Sequence, residues 1–122
     1  MSKKALILTW ERYQDHEVIY PYYRVQEDGF EVDIMTNVIG RVHGYLGTYN
    51  ESTQSVFDLD DNTKYDQHMK NYDFLIIPGG VKALEYLRQQ KNALKFIKEW
   101  NDKGKIIACI CHGAQLLISA QI

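Results

Sequence analysis

Three short segments of this sequence are almost wholly apolar, and they restrict the possible folds more than any other feature. They are Ala5–Thr9, Phe74–Ile77 and Ile106–Cys109. A strand covered on one face alternates apolar and polar residues, so continuous apolar runs indicate strands that are buried on both faces. Such strands belong to parallel sheets with helices on both sides, and this pattern predicts an α/β fold.

Helical segments separate these strands. We predict helices at Glu17–Asp28, Lys82–Gln90, Asn92–Lys103 and Gly113–Ala120, and a further strand at Phe30–Met35. Gly29 and Gly104 are predicted C-terminal stops, and Asn92 is a predicted N-cap. The pattern weakens between Thr36 and Asp66, where glycines and polar residues indicate hairpin-like excursions and loops. The predicted fold is a flavodoxin-like three-layer sandwich with a mostly parallel central sheet.

Pro21 constrains where the first helix begins. Proline has no N–H, so inside a helix it removes one backbone hydrogen bond. In the first turn nothing is lost, because the N–H groups there have no partner within the helix. A helix that begins near Glu17 meets this condition. The argument therefore places Glu17 at the start of the helix, beside the end of the first strand.

Length and charge limit the function classes. The chain has 122 residues, and we expect residues 1–122 to form one domain. Its formal net charge of −2 gives no general attraction for nucleic acid or for a membrane surface, and no segment approaches the roughly 20 apolar residues of a membrane span. We therefore expect neither nucleic acid nor membrane as a partner.

The cysteines and histidines bear on compartment and metal binding. The chain's two cysteines, Cys109 and Cys111, are one residue apart and poorly placed to bond each other, which indicates a reduced, cytoplasmic protein. No cysteine–histidine spacing indicates structural zinc, and we expect no metal and no cofactor. His16, His43 and His68 stand among polar residues and are interpreted as surface histidines.

Three chemically distinctive groups follow predicted strands. Glu17 comes after the first, Gly79-Gly80 after the third, and Cys111-His112 after the fourth. In sheets of this kind, sites form at the carboxyl ends of the strands. The sequence therefore predicts that these residues converge on one site.

The two cysteines have different predicted roles. Cys109 lies within a strand and is interpreted as a small packing residue whose thiol is inert because it is buried. Cys111 lies where the strand turns into a helix, an elbow that can hold a sulfur above the sheet and favour its thiolate. Gly113 lets the helix backbone pack close to the strand. The alternative for Cys111 is a small residue in a tight turn.

Four quoted segments together resemble a known family. ACICHGAQLLISA is similar to the nucleophile elbow of the ThiJ/PfpI superfamily, in its intracellular-protease-like (PfpI) branch. EVIYPYYRVQEDGFEVDI resembles that branch's first helix and second strand, GRVHGY its following hairpin, and DFLIIPGG its strand and glycine loop. The resemblance extends from Ala5 to Ala120.

The resemblance implies roles for individual residues. It makes Cys111 the nucleophile, His112 its adjacent base or acid, and Glu17 a carboxyl group beside the cysteine that hydrogen-bonds the sulfur. It makes Gly79 and Gly80 a backbone oxyanion site, together with the N–H groups of the elbow at Gly113.

The resemblance also implies an assembly and a longer chain. In oligomeric members a glutamate after the glycine loop reaches a neighbouring subunit; Glu85 is the candidate here, and we expect a homo-oligomer. Relatives continue through further strands and a last helix, which this chain lacks. We therefore expect an open strand edge and a partly uncovered face at Leu116, Leu117 and Ile118.

The function implied is a cysteine-dependent hydrolase or lyase that acts on small carbonyl compounds, on methylglyoxal-type aldehydes or their protein adducts, or on short peptide amides. One alternative is a redox-sensing stress-response protein whose cysteine is oxidised without turnover. Another is an inactive, truncated remnant that folds only as an oligomer.

Overall fold

A computed structural model describes residues 3–122, so the first two residues of the predicted domain lie outside the description. The strands are β1 Lys4–Leu8, β2 Glu31–Thr36, β3 Gly40–His43, β4 Tyr49–Ser52, β5 Gln54–Ser55, β6 Phe74–Ile77 and β7 Ile106–Cys109. The α-helices are α1 Asp15–Glu27, α2 Asn62–Asn71, α3 Val81–Leu87, α4 Lys91–Asp102 and α5 Ala114–Ser119. Two 3₁₀ turns, Val56–Asp60 and Cys111–Gly113, complete the described elements.

The central sheet is parallel throughout. Its strand order is β5-β2-β1-β6-β7, and every neighbouring pair in it is parallel. Strands β3 and β4 form a separate antiparallel hairpin that packs beside the sheet. The predicted three-layer α/β sandwich with a mostly parallel sheet is therefore confirmed.

Two apolar clusters lie on opposite faces of the sheet. Alternate residues of β1 enter different clusters, because successive side chains of a strand point to opposite faces: Leu6 and Leu8 join one cluster, and Ala5 and Ile7 the other. The first cluster contains Trp100 of α4 and its neighbours, whereas the second contains side chains of α1 and of the hairpin. This burial on both faces explains why β1 and β6 are almost wholly apolar, whereas the residues of β7 are exposed or only partly buried.

The strand predictions hold well. The bounds of β6 and β7 are those predicted, and β1 and β2 differ from the predicted segments by one residue at each end. The predictions for the region between Thr36 and Asp66 were incomplete, because they omitted α2. Only three residues of this polar helix are buried, so its apolar face is too narrow to show a clear helical period.

The start of α1 corrects one prediction. The helix begins at Asp15, two residues earlier than expected, and Pro21 therefore lies in its interior. Pro21 provides no N–H for the carbonyl of Glu17, so one helical hydrogen bond is missing. The prediction that Pro21 would cost no hydrogen bond was therefore wrong. The predicted N-cap of α4 was also wrong, because the N-cap is Gln90. The side chain of Asn92 donates instead to Asp60 Oδ1 at 2.7 Å.

The edge strand β7 and the last helix are partly uncovered. Leu116 is buried in the core, contrary to the expectation for it, because it packs with the helices on that face of the sheet. Ile118 is 77% exposed and Ile106 of β7 is 64% exposed. Within residues 3–122, no helix combines the length and the apolar character that crossing a membrane requires.

Candidate active site at the carboxyl ends of β1, β6 and β7

The parallel register brings three loops to one edge of the sheet. Ile7 of β1 pairs with Ile76 of β6, and Ile77 of β6 pairs with Cys109 of β7. The chain leaves all three strands at the same edge, because the strands are parallel. The residues that follow them, which include Glu17, Gly79 and Cys111, therefore lie close together.

The backbone at Cys111 is a sharp elbow. Cys111 has φ of 53°, in the left-handed region that residues other than glycine rarely adopt. The Ile110 N–H donates to the Ile77 carbonyl at 3.0 Å just before the elbow, and the Gly113 N–H donates to the Ile110 carbonyl at 2.9 Å just after it. These bonds hold the turn on both sides while the Cys111 side chain remains exposed.

Gly113 allows this elbow to sit against β6. A β-carbon at position 113 would overlap the Ile77 carbonyl oxygen and lie 3.2 Å from that of Pro78. Both neighbours are backbone atoms, which cannot rotate away as a flexible side chain could. The structure therefore requires glycine here for close approach.

Gly79 lies between Glu17 and the elbow. Its N–H donates to Glu17 Oε1 at 2.6 Å. A β-carbon on Gly79 would overlap the Glu17 carboxylate and lie 3.3 Å from both the Cys111 β-carbon and the His112 nitrogen. The carboxylate and the cysteine thus flank the same glycine.

Gly79 and Gly80, which we expected to act together as oxyanion donors, differ in their hydrogen bonding. The N–H of Gly79 is engaged by Glu17, so in this conformation it positions the carboxylate and is not free to face a substrate oxygen. The N–H of Gly80 has no backbone or side-chain acceptor within the part of the chain described. Of these two N–H groups, only that of Gly80 is unengaged in this conformation.

His112 contacts the nucleophile candidate directly. Its Nδ1 lies 3.5 Å from Cys111 Sγ, and both side chains are exposed. An imidazole at this distance can exchange a proton with the sulfur. The four sequence-predicted residues Glu17, Gly79, Cys111 and His112 are thus brought together at one edge of the sheet.

Glu85 lies outside this group within the chain. Its carboxylate is exposed and accepts from Arg88 Nε at 3.1 Å and from a terminal guanidinium nitrogen at 3.0 Å. This ion pair raises the pKa of Arg88. Among residues 3–122, no hydrogen bond or ion pair joins Glu85 to Cys111.

Cys109 differs from Cys111 in its surroundings. It is partly buried and packs against the apolar cluster that contains Trp100. Burial raises the pKa of its thiol, which keeps it in the unreactive protonated form. The predicted packing role agrees with this environment.

One histidine prediction was wrong. His68 is only 8% exposed, and its Nε2 lies 3.1 Å from Asp58 Oδ2. The polar sequence around it belongs to α2, whose buried side includes His68. Residues 3–122 contain no cluster of three or more histidine, cysteine or acidic side chains suited to hold a metal ion.

Sequence reasoning missed the role of Asp15. This aspartate is buried and accepts hydrogen bonds from the N–H groups of Leu46 at 2.7 Å and of Thr48 at 3.0 Å, and from the Thr48 hydroxyl. It therefore ties the β3–β4 turn to the start of α1, two residues before Glu17. The signal available in the sequence was an acidic residue in the first turn of a helix, which is too common to identify such a tie.

A cavity of about 370 Å³ lies beside Gly80, and the sequence did not predict it. It is lined by Arg12, Gln14, Tyr45, Gly80, Val81 and Lys82. These residues come from three separate segments, so no local pattern could have grouped them.

Known proteins match this chain over almost its whole length. The DJ-1/PfpI family matches residues 3–122. A deglycase of Pyrococcus horikoshii is 36% identical over 119 residues, which cover 98% of this chain and 66% of that protein. The deglycase PfpI of Pyrococcus furiosus is 35% identical over the same length, with the same coverage. This chain therefore spans just under two thirds of the length of these relatives.

A solved structure gives the same fold. The two-domain protein of Anabaena variabilis, which contains DJ-1/ThiJ/PfpI-like and ferritin-like domains, superposes with a TM-score of 0.82 at 27% identity. The match covers 98% of this chain and 32% of that one.

Proposed function

Since this chain belongs to the DJ-1/PfpI family, we propose that it is a cysteine-dependent enzyme of the deglycase or hydrolase type, with Cys111 as its nucleophile. The observation that carries the proposal is the strained elbow: the only exposed thiol of the described chain stands at φ of 53°, in contact with His112 and next to Glu17 and Gly79. Strained backbone of this kind concentrates at functional sites.

The proposed reaction on a 2-oxoaldehyde such as methylglyoxal needs only water. The thiolate adds to the aldehyde carbon, and the oxygen takes a proton to give a hemithioacetal. A proton then leaves that carbon and is returned to the neighbouring carbon, which gives a thioester of the 2-hydroxy acid. Water cleaves the thioester and restores the thiol. The aldehyde carbon is oxidised and the ketone carbon reduced by the same two electrons, so no external oxidant is required.

The same groups serve the related reactions. In a methylglyoxal adduct of an amine or thiol, the bond from that group to the former aldehyde carbon breaks, and the amine or thiol leaves with a proton. The Cys111 sulfur takes its place on that carbon, which gives the same hemithioacetal, and the later steps to the 2-hydroxy acid are unchanged. With a short peptide amide, the thiolate attacks the carbonyl, the amine leaves with a proton, and water hydrolyses the acyl-enzyme. His112 is the proposed proton carrier, with Glu17 beside it. The N–H of Gly80 is the proposed oxyanion donor. The N–H of Gly113, expected to share this role, donates instead to the Ile110 carbonyl at 2.9 Å, and the N–H of Gly79 holds Glu17.

Turnover by the purified protein tests this proposal. We expect it to convert methylglyoxal and its adducts, or to hydrolyse short peptide amides, and we expect Cys111→Ala to abolish both activities. Cys109→Ala is the matched control, because it removes the other thiol and should retain turnover. Undiminished activity of Cys111→Ala would contradict the proposed mechanism.

A second candidate function uses the same exposed thiol. An accessible cysteine beside a carboxyl group can be oxidised to a sulfinic acid, which makes Cys111 a candidate redox sensor. Titration with peroxide followed by peptide mass measurement separates the two functions. Stoichiometric oxidation of Cys111 in a protein without turnover would favour the sensor, whereas a folded protein with neither behaviour would favour an inactive remnant.

We further propose a single domain, a cytoplasmic location and a homo-oligomer. The two unpaired thiols support a reducing compartment. The exposed edge of β7 and the exposed Ile118 support self-association. In such an assembly Glu85, which lies on the surface of α3, would be available to a neighbouring subunit.

A further inference from the structure

We propose that the cavity beside Gly80 binds a carboxylate group of the substrate through Arg12 and Lys82. This inference rests on the proposed role of Cys111 as nucleophile, and it narrows the substrate class. The preferred substrates are carbonyl compounds or adducts that carry a carboxylate, such as aldehyde adducts of an amino acid with a free carboxyl group.

The cavity has the size of a small-molecule subsite. Its volume is about 370 Å³, within the range of roughly 300–1,000 Å³ that ligand pockets occupy. Arg12 and Lys82 line it from two different segments, the β1–α1 loop and the first turn of α3. It can therefore hold an amino-acid-sized group between two cations.

Hydrogen bonds connect the wall of this cavity to the nucleophile site. The N–H of Gln14, which lines the cavity, donates to the Gly79 carbonyl at 3.2 Å. The Gln14 carbonyl in turn accepts from the Glu17 N–H at 3.0 Å. Gly80 is the next residue after Gly79 and also lines the cavity. One stretch of backbone therefore forms both the cavity wall and the support of the proposed catalytic carboxylate.

The two cations have no carboxylate partner. Among the residues described, no acidic side chain lies within 4.0 Å of the charged nitrogens of Arg12 or Lys82. The carboxylate nearest in sequence, Glu11, has its own contact, since its Oε1 accepts from Asn37 Nδ2 at 3.3 Å. The next two acidic residues, Asp15 and Glu17, are bonded to the β3–β4 turn and to Gly79. Arg12 and Lys82 therefore form no ion pair, although Glu11 lines an adjacent cavity with both of them.

The backbone of Arg12 is held in place at a conformational cost. Its φ is 71°, and within residues 3–122 the only other residues besides glycine with positive φ are Cys111 and Gln121. The Arg12 N–H donates to the His43 carbonyl at 2.9 Å, which ties this loop to the β3–β4 hairpin. Strained residues persist where the surrounding structure holds them, and they concentrate at ligand sites. This is an independent reason to assign a binding role to Arg12.

Carboxylate matches these cations chemically. A guanidinium presents paired N–H groups that fit the two oxygens of a carboxylate, and an ammonium adds a compact second charge. A carboxylate bound there would leave the rest of the substrate to extend past Gly80 toward Cys111. The expected preference for an anionic substrate is modest, since both cations are exposed to solvent.

The test compares two alkylating agents that differ only in charge: iodoacetylglycine, which carries a carboxylate, and iodoacetylglycinamide, which is neutral. Peptide mass spectrometry measures the alkylation rate of Cys111 with each reagent, and the rate with the anionic reagent is divided by the rate with the neutral one. This ratio is then divided by the same ratio for a free small thiol, which corrects for the intrinsic reactivity of the two reagents. We expect a normalised ratio of about fivefold in the wild type, falling toward one in the double variant Arg12→Gln/Lys82→Gln. The ratio should also fall between about 0.02 M and about 0.5 M salt.

Lys103→Gln is the matched control. Like the single variant Arg12→Gln, which should lower the ratio, it removes one positive charge. It does so at the opposite end of the sheet, just before β7 begins, and should leave the ratio unchanged. A wild-type ratio equal to that of the free thiol would overturn the proposal. An equal loss in Lys103→Gln and in Arg12→Gln would also overturn it, because the effect would then come from the overall charge of the protein.

A second measurement keeps this inference distinct from the proposed function. Alkylation needs no turnover, so a selective Cys111 in a protein that converts no aldehyde would support the subsite and contradict the enzyme. Where turnover occurs, the methylglyoxal adduct of N-acetylcysteine should have a kcat/KM about fivefold above that of N-acetylcysteine amide. Loss of that preference in the double variant would support the subsite, and equal values for both adducts in the wild type would overturn it.

Discussion

At the scale of single residues, two cysteines one position apart have opposite surroundings. Cys109 ends β7 and is partly buried against the core, whereas Cys111 stands exposed on the elbow that follows. The difference arises because Ile110 is still held to β6 by its N–H, and the chain turns only after it. The different exposure of the two thiols is therefore set by the turn of the backbone between positions 109 and 111.

Differential alkylation follows from this contrast. When the native protein is treated with iodoacetamide across a pH series, we expect Cys111 to react more than tenfold faster than Cys109 near neutral pH. Burial both blocks Cys109 and raises the pKa of its thiol. Peptide mass spectrometry measures the two sites separately, and the unfolded protein, in which both thiols should react at similar rates, is the control. Equal protection of both cysteines in the native protein would contradict the elbow as an accessible site.

Gly113 offers a second prediction at this scale. Gly113→Ala should lower the free energy of unfolding by about 2 kcal/mol and slow the alkylation of Cys111, because the new methyl group meets the Ile77 carbonyl and displaces the elbow. Gly29→Ala is the comparison: it has positive φ but no atom within 4 Å of the added carbon. We expect it to cost about 1 kcal/mol through backbone strain alone and to leave the alkylation rate unchanged. Denaturant unfolding and alkylation of both variants check this, and unaltered Cys111 reactivity in Gly113→Ala would count against it.

At the scale of elements, the β3–β4 hairpin is tied to α1 by a single buried carboxylate. Burial alone would raise the pKa of Asp15, but hydrogen bonds from Thr48 and Leu46 outweigh it and hold the pKa below its usual range. Since the native-state pKa is below that of the unfolded chain, the carboxylate contributes stability above the unfolded value of about 4. That contribution is lost as the pH falls through the native value.

Asp15→Asn tests this tie. We expect a loss of about 1–3 kcal/mol of unfolding free energy near pH 7, because the amide cannot accept from the turn as the carboxylate does. The difference from the wild type should shrink as the pH falls from about 4 toward the lower native-state pKa, since Asp15 is protonated first in the unfolded chain and then in the native protein. Denaturant unfolding at several pH values measures it, with the exposed Asp66→Asn as control. A difference that did not change with pH would refute the electrostatic explanation.

At the scale of the whole molecule, apolar surface collects at one side of the sheet. Strand β7 is an edge strand, and Ile106 and Ile118 beside it are 64% and 77% exposed. An open strand edge with apolar neighbours favours pairing with another chain. This surface is the physical basis for expecting self-association.

Sedimentation velocity over a range of concentrations tests that expectation. We expect concentration-dependent association in the wild type and at least a threefold weaker association in Ile118→Lys, because a charge would then have to be buried at the contact. Ile39→Lys is the control, since Ile39 is equally apolar and 64% exposed but lies next to the β3–β4 hairpin. A wild-type protein that remained monomeric throughout would contradict the prediction, as would equal weakening by both substitutions.

The sequence by itself determined the sheet and the segments that end at the site. Continuous apolar runs identify β6 and β7 to the residue. Burial on both faces is the reason for β6, whereas no residue of β7 is fully buried and Ile106 is 64% exposed. The parallel order of the strands then requires that Glu17, Gly79 and Cys111 lie at one edge. The polar helix α2 escaped prediction, because so little of it is buried.

Only the tertiary structure decided which partners the polar and charged groups near the site contact. It assigned the Gly79 N–H to Glu17, and it brought Arg12 and Lys82 to one cavity. Each outcome depends on contacts between segments distant in the chain, and hydrogen bonds and charges act over a few ångströms whatever the separation in sequence. Local pattern reports which faces are buried, whereas the partner of each polar group is fixed only when the packed layers bring it within reach.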